Sequence, residues 1–520
     1  MGNDYFELEP FKPFSESLIW QLNRDFYDQA GIDAWSKGIV PHHMTSNSVV
    51  GKTYAELILA FLKDLAAKGC INETVYIIEL GAGHGRLAFH ILKHLQKFKS
   101  LLDIELPSFC YIISDIVDKN LLFFKDHPQL QTYYEQGVLD FAYFDGITSK
   151  EIHLQHANKT IRSKDLNQPI IAIGNYFFDT LPNDLFLVKN KKIAACSVAL
   201  KSRRNPKEMN AEKLFENLEF TYEKTPIEKP FYPNNISNEI LEDYAKLDFD
   251  THLFFPQKSF QCLNNLRDFS NKGLMVLTMD KGFHLLRNLD KKLEPEVIIH
   301  GSFSLWVNFH AFVEFCKKKG GKSLFPSFST FNLEIGCLFF LEEADTYQYT
   351  NAAYERFVND FGPDDFITLK KSTYKNISTL TFSELIALMR LSSYDSTFFI
   401  NILPRLKTVA KNITFDDRNR LEQTLHKIWY FFFNINEPYD LPYELGGFFY
   451  DLGFYEEALD YFEHSINLYG QKDDVYYNKA LCYYQLRKDN LFRKILKEAK
   501  ETFPESVKFI RLDELDLNAV

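Results

Sequence analysis

Three glycines alternate behind an acid in the stretch Val75–Arg86, VYIIELGAGHGR. A β-rich run ends at Glu79. Gly81, Ala82, Gly83, His84 and Gly85 follow, and a helical pattern begins at Arg86. Glycines let a backbone turn sharply and approach a ligand that Cβ atoms would exclude. The helix start beyond them offers free N–H groups and a positive dipole end. Together these make a loop for a nucleotide-like cofactor. A dinucleotide fingerprint, G-x-G-x-x-G, would need glycine at position 86, where Arg86 stands. Its ribose acid would be expected where Glu105 lies outside any strand-like run. The next β-rich run, Tyr111–Asp115, does end in an acid, and that acid suits the two hydroxyls of a ribose. A third run, Ile170–Gly174, delivers Asn175 and Asp179 to the carboxyl edge of a sheet, where ligands of such folds sit. Blander roles stay open: Asp115 as a helix cap, Asn175 and Asp179 as turn formers, His84 as a solvent-facing loop residue.

Other chemistry-bearing residues point to nothing further. Gly51-Lys52-Thr53 resembles the end of a phosphate loop, but Ser46 occupies the required first glycine and no strand precedes it. His90 and His94 share a helix face, yet Ile91 stands where the zinc-protease motif needs glutamate. His153 and His156 receive the same reading, and Lys201–Arg204 reads as a solvated loop. No metal site is expected.

The elements that must position these groups fit a soluble chain of 520 residues, long enough for two to four domains. Lys and Arg total 59 against 70 Asp and Glu, a net charge of −11 that argues against a general nucleic-acid coat. The seven cysteines include no CxxC pair, so neither a disulfide framework nor a zinc ribbon is indicated. The early residues carry acids and lack an apolar signal core. Gly2 invites a myristoylation check, which Phe6 fails, since that motif wants Ser or Thr there. Leu57–Leu62 and Trp429–Phe433 are far shorter than the ~20 residues of a membrane span. The expectation is a cytoplasmic protein with no membrane span.

Residues 1–70 read as mostly helical, with Ser17–Ala30 and Val49–Ala67 periodic. Strand-like runs then alternate with helical ones at Val75–Leu80, Tyr111–Ser114, Ile170–Gly174, Leu274–Thr278 and Cys337–Leu341. That alternation predicts an α/β domain over 71–345, a doubly wound parallel sheet with an inserted cap at about 189–269. A linker is expected over 346–375 and an all-α domain over 376–520. Two 34-residue stretches, 439–472 and 473–506, match each other in small and aromatic positions. Gly446 aligns with Ala480, Phe449 with Tyr483 and Ser465 with Ala499. Such offsets let antiparallel helices pack closely and stack on the next pair. The pattern resembles tetratricopeptide repeats, with Gly470 where proline is usual and Phe492 where a small residue is usual.

The acid-x-G-x-G-x-G order resembles motif I of S-adenosylmethionine-dependent methyltransferases. Asn175, Asp179, Leu181 and Pro182 narrow the resemblance to the MidA-like family, which includes mitochondrial complex I assembly methyltransferases. Thr45-Ser46 before Gly51 is similar to that family's entry segment, Asp280-Lys281-Gly282 to the turn after its fifth strand, and Val307-Asn308-Phe309 to a later segment. The resemblance covers about residues 40–340. It implies a Rossmann-like fold and S-adenosyl-L-methionine as cofactor. Glu79, Gly81, Ala82, Gly83 and Gly85 would then hold the methionine end, and Asp115 the ribose. Thr45, Ser46 and Asn175 would complete the cofactor site, with Asn175 and Asp179 facing the transfer site. Tyr176 departs from the pattern, standing where the family has an acid, which bears on arginine specificity and on activity.

The expected function is methyl transfer to a protein acceptor, an arginine side chain being one candidate, with the helical repeats recruiting the partner. A degenerate methyltransferase-fold scaffold and a small-molecule methyltransferase stay open, and a nicotinamide oxidoreductase is a distant further choice. Acceptor, partner and oligomeric state are not legible in the residues.

Overall fold

A computed structural model describes residues 5–41, 43–290, 295, 297–510 and 512, apart from the side chains of 211 and 300. Gly2, weighed above as a lipid site, lies outside the described residues. The chain forms two compact units, one running to Leu369 and the other from Lys370.

In chain order the strands of the first unit begin with β1 (Phe6–Pro13), β2 (Val75–Glu79), β3 (Phe109–Asp115) and β4 (Leu139–Tyr143). A small hairpin of β5 (Ile152–Leu154) and β6 (Lys159–Ile161) precedes β7 (Ile170–Asn175). Then come β8 (Asp184–Lys189), β9 (Lys192–Ser202), β10 (Leu218–Pro226), β11 (Thr251–Phe255) and β12 (Leu274–Asp280). Another hairpin, β13 (Val297–His300) and β14 (Ser302–Leu305), leads to β15 (Lys322–Leu324) and β16 (Glu334–Phe340).

The main sheet has seven strands in the order β15-β16-β12-β7-β2-β3-β4. β2, β3, β4, β7 and β12 pair in parallel, β16 is antiparallel to β12, and the edge strand β15 is antiparallel to β16. The sheet is therefore mixed, where alternation alone predicted a parallel one. Every residue of β2, β3, β12 and β16 is buried, because helices cover both faces; such strands read as unbroken apolar runs. β2 pairs with β3 on one side and β7 on the other, so the strand order reverses there. A crevice opens at the carboxyl ends of strands beside such a reversal.

Sheet one rests on the helix Ser48–Ala67, which Asn47 starts by accepting hydrogen bonds from Val49 N and Val50 N. Gly51, on this helix, touches the helix Arg86–Lys99: a Cβ there would lie 2.3 Å from His90 Cβ. Its glycine thus serves helix packing and no phosphate.

A second sheet has the order β1-β9-β8-β11, with β10 along the other edge of β9. Ahead of the helices of the first 70 residues stands β1, a strand that the mostly helical expectation did not include; its two prolines masked it. The cap is no simple insertion either, for it recruits β1 from the opposite end of the unit and begins at β8. The segment expected as a linker, 346–375, is largely helical. Its helix Gln348–Tyr354 is fixed by Asp64, which accepts hydrogen bonds from Tyr349 N (2.9 Å) and Thr350 N (2.8 Å).

The second unit is helical. Leu441–Asp451 pairs with Tyr455–Tyr469, and Asp473–Gln485 with Asp489–Thr502, as two helical hairpins. Small residues mark the close approaches: a Cβ at Gly446 would lie 2.8 Å from the Phe462 ring, and Ala458, Ala480 and Ala499 are fully buried.

Replacing Gly51 by alanine sets a helix-propensity gain of about 1 kcal/mol against overpacking of about 1–3 kcal/mol. The obstructing atom is a Cβ fixed to backbone, so overpacking should prevail and chemical denaturation should show Gly51→Ala to be less stable than the wild type.

Candidate active site

The crevice at the strand reversal holds a cavity of about 220 Å³. The loop after β2 forms its floor. Gly81, Gly83 and Gly85 all take positive φ, at +57°, +61° and +72°, a conformation that L side chains rarely adopt. Close approach adds to the demand at Gly83, where a Cβ would lie 2.9 Å from the Trp35 ring. The loop is tied to both neighbouring strands: Leu80 N donates to Ile173 O and Ala82 N to Ser114 O, each at 2.9 Å.

Glu79, the last residue of β2, is buried and accepts a 2.8 Å hydrogen bond from the Tyr111 hydroxyl. Burial raises its carboxyl to about 8; the Tyr111 bond opposes that rise and the nearby Asp115 adds to it. Asp115, at the end of β3, accepts from Gly83 N at 2.9 Å, Val117 N at 2.9 Å and the Asn120 amide at 3.2 Å. It therefore braces the glycine loop and the turn into the next helix while still facing the cavity. Burial moves this carboxyl up too, against its hydrogen bonds.

Asn175 ends β7. Its amide donates to Thr45 O at 3.0 Å, while its Oδ1 is buried without a partner. That bond joins the β7 edge to the segment entering the helix Ser48–Ala67, so Thr45 and Ser46 reach the same wall. Tyr176 follows in a left-handed conformation, φ +50°, its N–H donating to Met279 O at 3.0 Å. Asp179 lies on the turn beyond, buried, with a side-chain hydrogen bond to Asp280 at the end of β12. Burial raises both carboxyls, and the charge of Asp179 lifts Asp280 further.

Nine of the ten candidate residues thus line one cavity: Thr45, Ser46, Glu79, Gly81, Ala82, Gly83, Asp115, Asn175 and Asp179. Gly85 does not. It packs beneath the wall against Phe124 and caps the helix Arg86–Lys99. His84 does line the cavity, its Nδ1 accepting from Arg86 N at 3.1 Å. His90 and His94 lie away from it on that helix, where burial lowers both and keeps them neutral. Among the described residues no cluster of His, Cys, Asp and Glu could hold a metal ion.

Sequence reading missed several wall residues. Arg24, Tyr27 and Trp35 come from the N-terminal helices, and nothing local marks them. Phe144 and Asp145 follow β4, a strand not recognised, although its alternation and the Asp145-Gly146 turn were available signals. Arg24 pairs with Asp145 at 3.2 Å, and Ile147 N donates to Asp145 at 2.8 Å. Lys281 was read only as part of a landmark turn.

Residues 55–289 match the model of a family described as "putative S-adenosyl-L-methionine-dependent methyltransferase". S-adenosyl-L-methionine is the cofactor of that family. No curated protein matches the chain. Among solved structures, one similar chain is an uncharacterized protein from Burkholderia thailandensis, with TM-score 0.40 and 13% identity over 65% of this chain and 90% of that one. Another, from the same organism and bound to S-adenosyl-homocysteine, has TM-score 0.37 and 15% identity over 61% and 74%. The mostly parallel seven-stranded sheet and the helical C-terminal unit fit a methyltransferase fold.

Because Glu79 binds its proton more tightly folded than unfolded, its contribution to stability falls as pH rises from its ordinary 4.5 through about 8. Glu79→Gln removes that penalty. Denaturant titrations across this window should show the variant gaining on the wild type as pH rises.

Proposed function

We propose that this chain is an S-adenosyl-L-methionine-dependent methyltransferase of the MidA-like kind acting on a protein, with arginine as one candidate acceptor side chain. One observation carries the reading: a single cavity wall combines the glycine loop after β2 with Asn175 and Asp179 after β7. The residues fit the cofactor. Left-handed Gly81 and Gly83 bring bare backbone to the cavity floor, and Glu79 supplies a buried carboxyl beside it. Asp115 has acceptor capacity beyond its three protein donors, as a ribose diol requires.

When bound, the cofactor supplies a methyl carbon already activated by its sulfonium. The chain's own work is placement and proton handling. Glu79, oriented by the Tyr111 hydroxyl, would receive the ammonium of the methionine end. Ala82, Thr45 and Ser46 would enclose that end, and Phe144 and Asp145, which line the same cavity, would offer the rest of the cofactor an apolar face and an acceptor. Asp179 would stand at the acceptor and offset its charge or take its proton.

The protein acceptor draws support from the second unit. Its two helical hairpins follow the 34-residue spacing and resemble tetratricopeptide repeats, which present concave surfaces to peptide segments. A second reading, a methyltransferase-fold scaffold without turnover, draws on Tyr176 in the position of the family's acid.

Calorimetric titration with S-adenosylmethionine and S-adenosylhomocysteine tests the cofactor site. Both should bind the wild type, and Gly83→Asp, with its side chain forced against Trp35, should lose binding at least about ten-fold. Methyl-labelled cofactor should then mark protein in a cell extract with the wild type and not with the variant. A folded wild type that binds neither compound would sink the enzyme reading.

A further inference from the structure

Two acids meet at the mouth of neighbouring parallel strands. Asn175 of β7 and Met279 of β12 are register partners, so Asp280 and the turn holding Asp179 emerge side by side. The Tyr176 N–H donates to Met279 O and clamps that turn against β12, at the expense of a left-handed tyrosine. A non-glycine residue held in that region marks a place where the surroundings over-determine the backbone. Asp179 is 3% exposed and Asp280 1%, and Asp179 alone of the two lines the cavity. Lys281 N donates to Asp280 Oδ1 at 2.7 Å, while Asp280 Oδ2 and Asp179 Oδ1 have no other donor. Two carboxyls in hydrogen-bond contact need a proton between them, because an ionised carboxylate only accepts.

We propose that Asp280 is a positioning residue that donates this proton to Asp179, so that Asp179 can stand as a buried anion and receive a positively charged nitrogen. The inference rests on the methyltransferase reading and narrows it: the methyl acceptor is an ammonium or guanidinium group, and not a hydroxyl, thiol or carboxylate. Asp280 thereby brings from β12 the second acid that the Tyr176 position lacks, and the Tyr176 ring forms part of the same wall. In the proton step an N–H bond of the acceptor breaks as an O–H bond forms on Asp179. Burial holds Asp280 protonated well above the ordinary carboxylate range, which keeps it a donor. The groups facing the pair are Lys281, whose charge favours the Asp179 anion, and the phenols Tyr27, Tyr54 and Tyr176, all neutral at physiological pH. The dyad therefore titrates as pH rises through neutrality, and so does Glu79 of the same cavity, raised to about 8, so the Asp179 and Asp280 variants are what separate the two.

Methylguanidinium and its neutral analogue N-methylurea are suitable probes, followed by ligand-observed NMR with S-adenosylhomocysteine present. The wild type should bind the cation in preference to the urea, increasingly as pH rises and Asp179 ionises. Asp179→Asn should lose that preference at every pH. Asp280→Ala, which removes the donor, should weaken the cation about ten-fold at neutral pH and move its binding to higher pH. Asp280→Asn, which restores a donor, should recover it. Equal binding of cation and urea, or equal losses in Asp280→Ala and Asp280→Asn at all pH values, would overturn the inference while leaving the cofactor site standing. Failure of S-adenosylhomocysteine to bind the folded wild type would remove the methyltransferase reading and this inference with it.

Discussion

Everything in the first unit depends on the point where the sheet changes direction of growth. β2 is flanked by β3 and β7, so the sheet grows from β2 toward β3 and β4 on one side and from β7 toward β12 on the other. Backbone cannot fill the gap so made, and water or ligand must. The loop after β2 crosses it in a conformation open to glycine, stitched on one side to Ile173 O and on the other to Ser114 O. The N-terminal segment, the loops after β4 and β7 and strand β14 act as walls around a gap that the strand order makes unavoidable.

The gap also explains the unusual density of buried acid. Glu79, Asp115, Asp179 and Asp280 are each no more than 5% exposed, an arrangement that an apolar interior tolerates only with donors, shared protons or a cationic guest. The protein supplies donors unevenly. Asp115 has three, Glu79 has the Tyr111 hydroxyl, and the Asp179–Asp280 pair adds a proton shared between its two carboxyls to the backbone donors around it. That gradient separates groups that hold a ligand in place from groups that wait for one.

Legibility followed locality. The acid and glycines of 79–85 could be read because a single tight loop needs all of them within seven positions. Asp115 and Asn175 could be read because each ends a strand fully or nearly fully buried, which shows as an apolar run. β4 was overlooked, and Asp145 with it, because alternation over five residues is a weak signal. Asp280 stood in plain sight at a strand end, but its meaning lies in a neighbour a hundred residues away in sequence, as register sets it. Trp35 against Gly83 was beyond reach for the same reason. β16 gave no hint of its direction, since an apolar run looks the same read either way.

The pairing of β1 with β9 carries a consequence for the order in which this unit is completed. The helix Leu18–Ala30, which lends Arg24 and Tyr27 to the cavity, is anchored through Ser17, whose hydroxyl and the adjoining Leu18 N–H both bond to Glu9 of β1. β1 in turn has no strand partner until β9 exists. During synthesis the earliest residues of the unit must wait for much later ones before they can be placed. The wall that Arg24 and Tyr27 give the cavity is thus set in place only after β9 has been made.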